Sequence, residues 1–254
     1  MVEEIIFNDI SSKNDLFGIK AITKVSKDIL SGTNDRTMDI LGRDGVYDFG
    51  YDRQPIEISV KFFLRGKTTE EFKKYTRQIA KWLNVREAKQ LILSDEPEVF
   101  YLARTTGSVD LDRLANTGEG EVTFFVPDPH AQSVADTIIG SSGSTWCYPE
   151  NNGTTETDAI ITVNIGSTAD PVSYKQFELV DTGEVIKINT RFNPDDELVI
   201  DTAKRTVMKN GIDVREHLDI QSRYFKIPVG ESSIRQTPFQ LGASYTVEIR
   251  ERWL

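Results

Sequence analysis

Cysteine and histidine are nearly absent from this 254-residue sequence, and each shortage removes a class of chemistry. The one cysteine, Cys147, cannot close an internal disulfide, so stability has to come from packing or from association. The two histidines, His130 and His217, fall in different predicted domains and cannot furnish a histidine-rich metal site. No zinc spacing and no G-x-S-x-G elbow is present. A Cys147–His217 dyad would need an oriented, electropositive pocket, and neither residue sits in a motif that supplies one. Positive charge is also scarce: 30 Lys and Arg stand against 40 Asp and Glu, a formal charge of −10. Nucleic-acid binding draws its affinity from neutralised phosphates, so an acidic chain without a basic stripe argues against DNA or RNA as a partner. Long apolar runs are missing too, and nothing approaches the roughly 18 residues of a membrane span. The start, MVEEIIFND, is acidic and lacks the apolar core of a signal peptide. The expectation is a protein made and folded in a cytoplasm, with no membrane partner.

What is present reads as strands with one helix. Residues 68–84, TTEEFKKYTRQIAKWLN, place Phe72, Tyr75, Ile79, Trp82 and Leu83 three and four apart, on one helical face. Thr68 with Glu71 three residues on is a capping-box signature, and Glu70 with Lys74 is spaced for an i,i+4 pair. Before the helix, EIIFND and GIKAITKV are strand candidates, the second alternating Ile19, Ala21, Thr23 and Val25 against Lys20, Ile22 and Lys24. Residues 26–37 read as a polar loop. In MDILGRDGVYDFG, Asp44-Gly45 sits between short apolar runs and marks a hairpin. Ile56, Ile58, Val60, Phe62 and Leu64 make the cleanest strand. LILSDEPEVFYLAR then reads as two strands around 95–97, followed by SVDLDRL and, after a turn at 118–120, EVTFFVP. This first half is an α+β arrangement.

Two prolines in VPDPHAQSVADTIIGSSGST close that last strand, and a small-residue tract follows, which places a domain boundary near Ala135. The domains are expected at 1–135 and 136–254. Beyond the boundary helical periodicity disappears, and AIITVNI, YKQFELVD, VIKINT, ELVID, RTVMKN, RYFKIPV and SYTVEIRERW follow at short intervals. Turns at 181–183, 193–194 and Asn210-Gly211 separate them, a spacing that suggests a β-sandwich.

Candidate sites are few. Gly42, Gly45 and Gly50 lack the Lys-Ser/Thr and helix onset of a phosphate loop and read as turn glycines. Asp195, Asp196 and Glu197 are a possible carboxylate pair for a wall-degrading hydrolase or a calcium site. Consecutive strand residues point to opposite faces, however, and the Asp-x-Asp-x-Asp-Gly ladder is missing. Trp146 and Trp253 are candidate stacking platforms for a saccharide. No residue pattern implies a metal or cofactor. Taken alone, the residues describe a two-domain β-rich protein without a catalytic constellation.

Several stretches in order resemble the siphophage distal tail protein family. They are FNDI at 7–10, LGRDG at 41–45 ahead of Asp48 and Gly50, IAKWL at 79–83, LSDEP at 93–97 and FFVPDPHA at 124–131. ELVIDTAKRTVMKNG at 197–211 and the ending VEIRERWL complete the set. The resemblance implies a non-enzymatic virion protein whose N-terminal domain closes into a ring, commonly of six copies, with a C-terminal galectin-like β-sandwich at its periphery. Such a ring joins the tail tube to a tail-associated adsorption or fibre protein at the tail tip, and is made in the host cytoplasm. The N-terminal hairpins, including Gly42, Arg43, Asp44 and Gly45, are the expected self-association material. Short loops in the second half leave no room for the long docking arm of some relatives, and the residue cluster of a working galectin site finds no match here. The alternative is a carbohydrate-binding β-sandwich that recognises host cell-wall saccharides.

Overall fold

Apolar residues at every second position require a strand with one buried face, and from Ile56 to Leu64 all five are buried. The structure, a computed structural model, describes residues 4–16, 18–107 and 118–254. The chain is mainly β, with one α-helix among the described residues, and divides into two compact units, residues 1–134 with Leu254 and residues 135–253.

The first unit contains β1 (Ile5–Phe7), β2 (Ile10–Ser11), β3 (Ile19–Ser26), β4 (Thr33–Asp39), β5 (Val46–Arg53) and β6 (Ile56–Leu64). The helix α1 (Thr69–Leu83) is followed by β7 (Lys89–Leu93), β8 (Val99–Thr106), β9 (Glu119–Val126) and β10 (Ala131–Ser133). Seven strands form an antiparallel sheet in the order β2-β1-β7-β8-β9-β6-β3, and β10 adds to β8. The expected strand SVDLDRL, at 108–114, lies outside the described residues. Two expectations change. In β3 the buried residues are Ile19 and Ile22, not the alternating set, because register shifts after Ile19 and Ile22 break the two-residue period. The expected loop at 26–37 ends earlier, since β4 begins at Thr33 and pairs with β5.

Helix α1 begins where Thr68 Oγ1 accepts from the Glu71 N–H at 3.2 Å, while Glu71 reaches back to the Lys67 N–H at 2.8 Å. It ends at Asn84, whose N–H still bonds to the Ala80 carbonyl. Ile79, Trp82 and Leu83 are buried and Phe72 and Tyr75 half-buried, so the apolar stripe faces the sheet. Trp82 Nε1–H donates to the Phe7 carbonyl at 2.9 Å, and the Phe7 ring meets the Trp82 and Phe124 rings edge-on. Thr105 Oγ1 donates to the Leu83 carbonyl, which ties the helix end to β8. The Glu70–Lys74 ion pair does not form; both side chains extend into solvent.

The second unit contains β11 (Thr137–Ser142), β12 (Trp146–Cys147), β13 (Glu150–Asn151), β14 (Ala159–Ile165), β15 (Lys175–Leu179) and β16 (Glu184–Ile188). After these come β17 (Glu197–Asp201), β18 (Thr206–Lys209), β19 (Ile212–Asp213), β20 (Gly230–Glu231), β21 (Ile234–Thr237) and β22 (Ala243–Ile249). One sheet runs β11-β22-β14-β17-β18-β19 and a second β12-β21-β15-β16. Their inward residues, among them Ile161, Val163, Leu198 and Val247 from the first and Phe177, Leu179, Ile186 and Ile234 from the second, form one core. The small-residue tract after Ala135, not among the expected strands, forms one, because 137–142 pairs with β22 along its whole length. RYFKIPV is not a ladder strand either. Phe225 and Ile227 are buried, but only Ile227 bridges, to Thr157, and Pro228 has no N–H to extend the pairing.

Candidate functional site: an exposed hairpin

Among the described residues the β4–β5 hairpin pairs with no other strand, and every residue from Thr33 to Asp52 is exposed. Seven to eight residues per strand give it a reach of roughly 25 Å. An isolated two-stranded ribbon is marginally stable in water, so this one needs either a staple or a partner. The staple is at its base, where the Gln54 N–H bonds to the Gly32 carbonyl and Gln54 Nε2 donates to Asn34 Oδ1 at 2.6 Å. A Cβ at Gly32 would stand 2.7 Å from Gln54 Oε1, so a larger residue there would push the Gln54 side chain aside.

The register fixes the faces. Asp35 opposes Tyr51 and Thr37 opposes Asp48, so β5 carries one extra residue at Phe49–Gly50, a bulge accommodated by Gly50 at φ +86°. Met38 lies opposite Tyr47, with Phe49 two residues on, which makes one face apolar and aromatic. Met38 is 54% and Phe49 61% exposed, and Leu41 at the tip is fully exposed. Arg36 forms a two-pronged pair with Asp52 on this face, and Arg43 stacks over the Tyr47 ring at 4.0 Å. The other face carries Asp35, Asp39 and Asp48 around Thr37, with Val46 opposite Asp39 and Tyr51 opposite Asp35, the Tyr51 ring lying 5.0 Å from the Arg53 guanidinium.

Gly42, Arg43, Asp44 and Gly45 form the tip, with Gly42 and Gly45 at φ +85° and +81°. Sequence reasoning marked these four and missed Met38, Tyr47 and Phe49. Their alternation was visible, but it is the same alternation that a core-facing strand shows.

The two saccharide candidates are not brought together. Trp146 on β12 stacks parallel to Tyr148 with centroids 6.3 Å apart, and Arg235 sits over its ring at 5.9 Å, whereas Trp253 follows β22 and makes no ring contact among the described residues. Asp196 accepts hydrogen bonds from the Asn193 N–H and Asn210 Nδ2, both at 2.7 Å, and pairs with Lys209 at 2.9 Å. Burial opposes its ionisation, but these donors outweigh that and hold the carboxyl below its ordinary value. Asp196 is a clamp on the β17–β18 hairpin, not a base. Cys147 is buried, donates weakly to the Ile139 carbonyl at 3.7 Å, and burial pushes its thiol up to about 11, while His217 is half-buried. A thiol protonated at neutral pH is no nucleophile. His130 contacts Asp128 at 2.5 Å, and among the described residues no cluster of His, Cys, Asp or Glu is arranged to hold a metal. No helix among the described residues is long and apolar enough to cross a membrane.

Comparison with known proteins gives these features a context. A family model for a phage tail protein RIFT-related domain matches residues 16–126, and one for the C-terminal domain of a siphovirus-type tail component matches residues 152–253. Among solved structures, the crystal structure of the Dit protein of phage SPP1, described as a paradigm of the hub adsorption apparatus in phages infecting Gram-positive hosts, is similar over 100% of both chains. Its TM-score is 0.81 at 15% identity. A chain of the phage p2 baseplate in its activated conformation is similar over 98% of this chain and 97% of its own, with a TM-score of 0.52 at 10% identity. No curated protein sequence matches. The protein is thus a structural component of a phage tail. The chain belongs to the siphophage distal tail protein family, whose members serve as structural hubs at the tail tip.

Proposed function

We propose that six copies close head to tail into a ring through their N-terminal units, residues 1–135, with the β4–β5 hairpin as the connecting element. The count of six follows from the family resemblance. The observation that supports closure through the hairpin is its uncovered aromatic face, Met38, Tyr47 and Phe49, on a ribbon that no other strand among the described residues supports. A patch that docks on a different surface of the next copy generates a ring when the rotation closes. In this reading the ring joins the tail tube to the adsorption or fibre protein at the tip of a phage infecting a Gram-positive host. The C-terminal unit, residues 136–254, is a galectin-like sandwich at its edge. The protein has no enzymatic role, and its assembly takes place in the host cytoplasm.

Light scattering across a concentration series, followed by negative-stain imaging, tests the ring. The wild type is expected as a closed species of about six copies, and Phe49→Ser with Tyr47→Ser is expected to remain monomeric while retaining the fold. A wild type that stays monomeric even with tail tube protein added would refute the ring.

A second reading, saccharide binding by the C-terminal unit, is favoured by the stacked Trp146–Tyr148 pair, with Tyr148 62% exposed. The same sheet borders a polar concavity of about 430 Å³ lined by Gln176, Lys187, Asp219 and Arg223. Titration with host wall polysaccharide is expected to change Trp fluorescence, and Trp146→Ala is expected to abolish the change; a flat titration removes this reading.

A further inference from the structure

The carboxylate face of the hairpin has a complement elsewhere on the same unit. Asp35 and Asp39 flank Thr37 on β4 and Asp48 lies across from Thr37, so three carboxylates follow one another along the ribbon at steps of roughly 7 Å. None of the three enters an ion pair among the described residues; Asp48 only accepts the Gly50 N–H. On the solvent side of α1, Lys73, Arg77 and Lys81 are exposed at i, i+4 and i+8, at steps of roughly 6 Å along the axis. They border a shallow concavity of about 470 Å³ with Lys74, Glu70 and Gln78, and make no ion pair among the described residues.

Like charges four apart weaken a helix, and acids at alternate positions would have strengthened it. The sequence nevertheless places three cations in line there, in a chain whose net charge is −10. Copies with that charge repel at long range, so association requires local complementarity.

We propose that the carboxylate face of the hairpin of one copy docks on the basic face of α1 of the next copy, with Asp35, Asp48 and Asp39 opposite Lys73, Arg77 and Lys81. The proposal rests on the ring reading and adds the acceptor surface to it. The hairpin is then held on two sides. Its aromatic face supplies buried area, and its carboxylate face selects the neighbour and sets the register. Because donor and acceptor patches differ, the contact is heterologous, as a ring requires.

Two charge-reversed proteins test it, one with Lys73→Glu, Arg77→Glu and Lys81→Glu, the other with Asp35→Lys, Asp39→Lys and Asp48→Lys. All six positions are exposed, and thermal melts will verify that both proteins fold. Each alone is expected to assemble at least tenfold more weakly than the wild type by mass photometry at low salt. An equimolar mixture is expected to regain rings of alternating subunits, since every mixed contact again joins opposite charges. Wild-type rings are expected to loosen as salt rises. If the wild type assembles and either reversed protein alone assembles equally well, or the mixture gains nothing, the acceptor assignment is wrong and the ring stands. If the wild type never assembles, with or without tail tube protein, both fall together.

Discussion

Replacing Lys175 by methionine should stabilise the second unit. Lys175 occupies an inward position of β15, in line with Phe177 and Leu179, and is fully buried. Its ammonium makes one hydrogen bond, to the Pro238 carbonyl at 3.3 Å, and burial pushes its pKa from 10.5 down to about 8. The gap between those values corresponds to about 3 kcal/mol of unfavourable interaction in the charged form. The unfolded chain binds this proton more tightly than the folded one, so the penalty is complete below pH 8, shrinks between 8 and 10.5, and is gone above that. Methionine fills a similar volume without charge, and the main loss is the hydrogen bond to the carbonyl, about 1 kcal/mol. The net gain at pH 7 is about 2 kcal/mol, or roughly 6–10 °C in the melting of a unit this size. Calorimetry of wild type and Lys175→Met at pH 6, 7, 9 and 10.5 measures it. The gain should be constant from pH 6 to 7, fall by pH 9 and vanish or reverse by 10.5. A variant that melts lower at pH 7, or a difference that does not change with pH, would refute the reasoning.

Two further outcomes follow from the second unit. Asp196→Asn removes the charge that gathers the Asn193 N–H, Lys209 and Asn210, and should cost about 2 kcal/mol at pH 7 in urea unfolding. Because the folded pKa lies below the unfolded 3.8, that cost should persist down to about pH 4 and disappear as the pH falls through the folded value. Cys147 should resist a thiol reagent at pH 8 in the native protein and react promptly in denaturant. Fast labelling of the folded chain would contradict its burial.

The exposed hairpin also bears on how a chain that cannot close an internal disulfide is stabilised. Each unit has its own core, and a group of exposed apolar residues, Met38, Tyr47 and Phe49 among them, lies together on one ribbon. In the proposed ring, a surface that is costly in the monomer and buried between copies would couple stability to association.

Local periodicity and local chemistry, which sequence carries in full, determined much of this protein. The alternation in β6 specified a strand with one buried face; Phe72, Tyr75, Ile79, Trp82 and Leu83 specified a helix and its inner side; Thr68 specified where that helix starts. Asn210-Gly211, both at positive φ, specified the turn between β18 and β19. Tertiary structure decided what stands on the other side of each face. Tyr47 and Phe49 alternate as regularly as Ile58 and Val60, yet one pair meets solvent and the other a core, because a side chain's direction is set by its own backbone and its burial by residues far away in sequence. The same reason hid the buried Lys175 among the polar positions of YKQFELVD. It also left the tract after Ala135 without a strand reading, since its partner, β22, lies more than a hundred residues on.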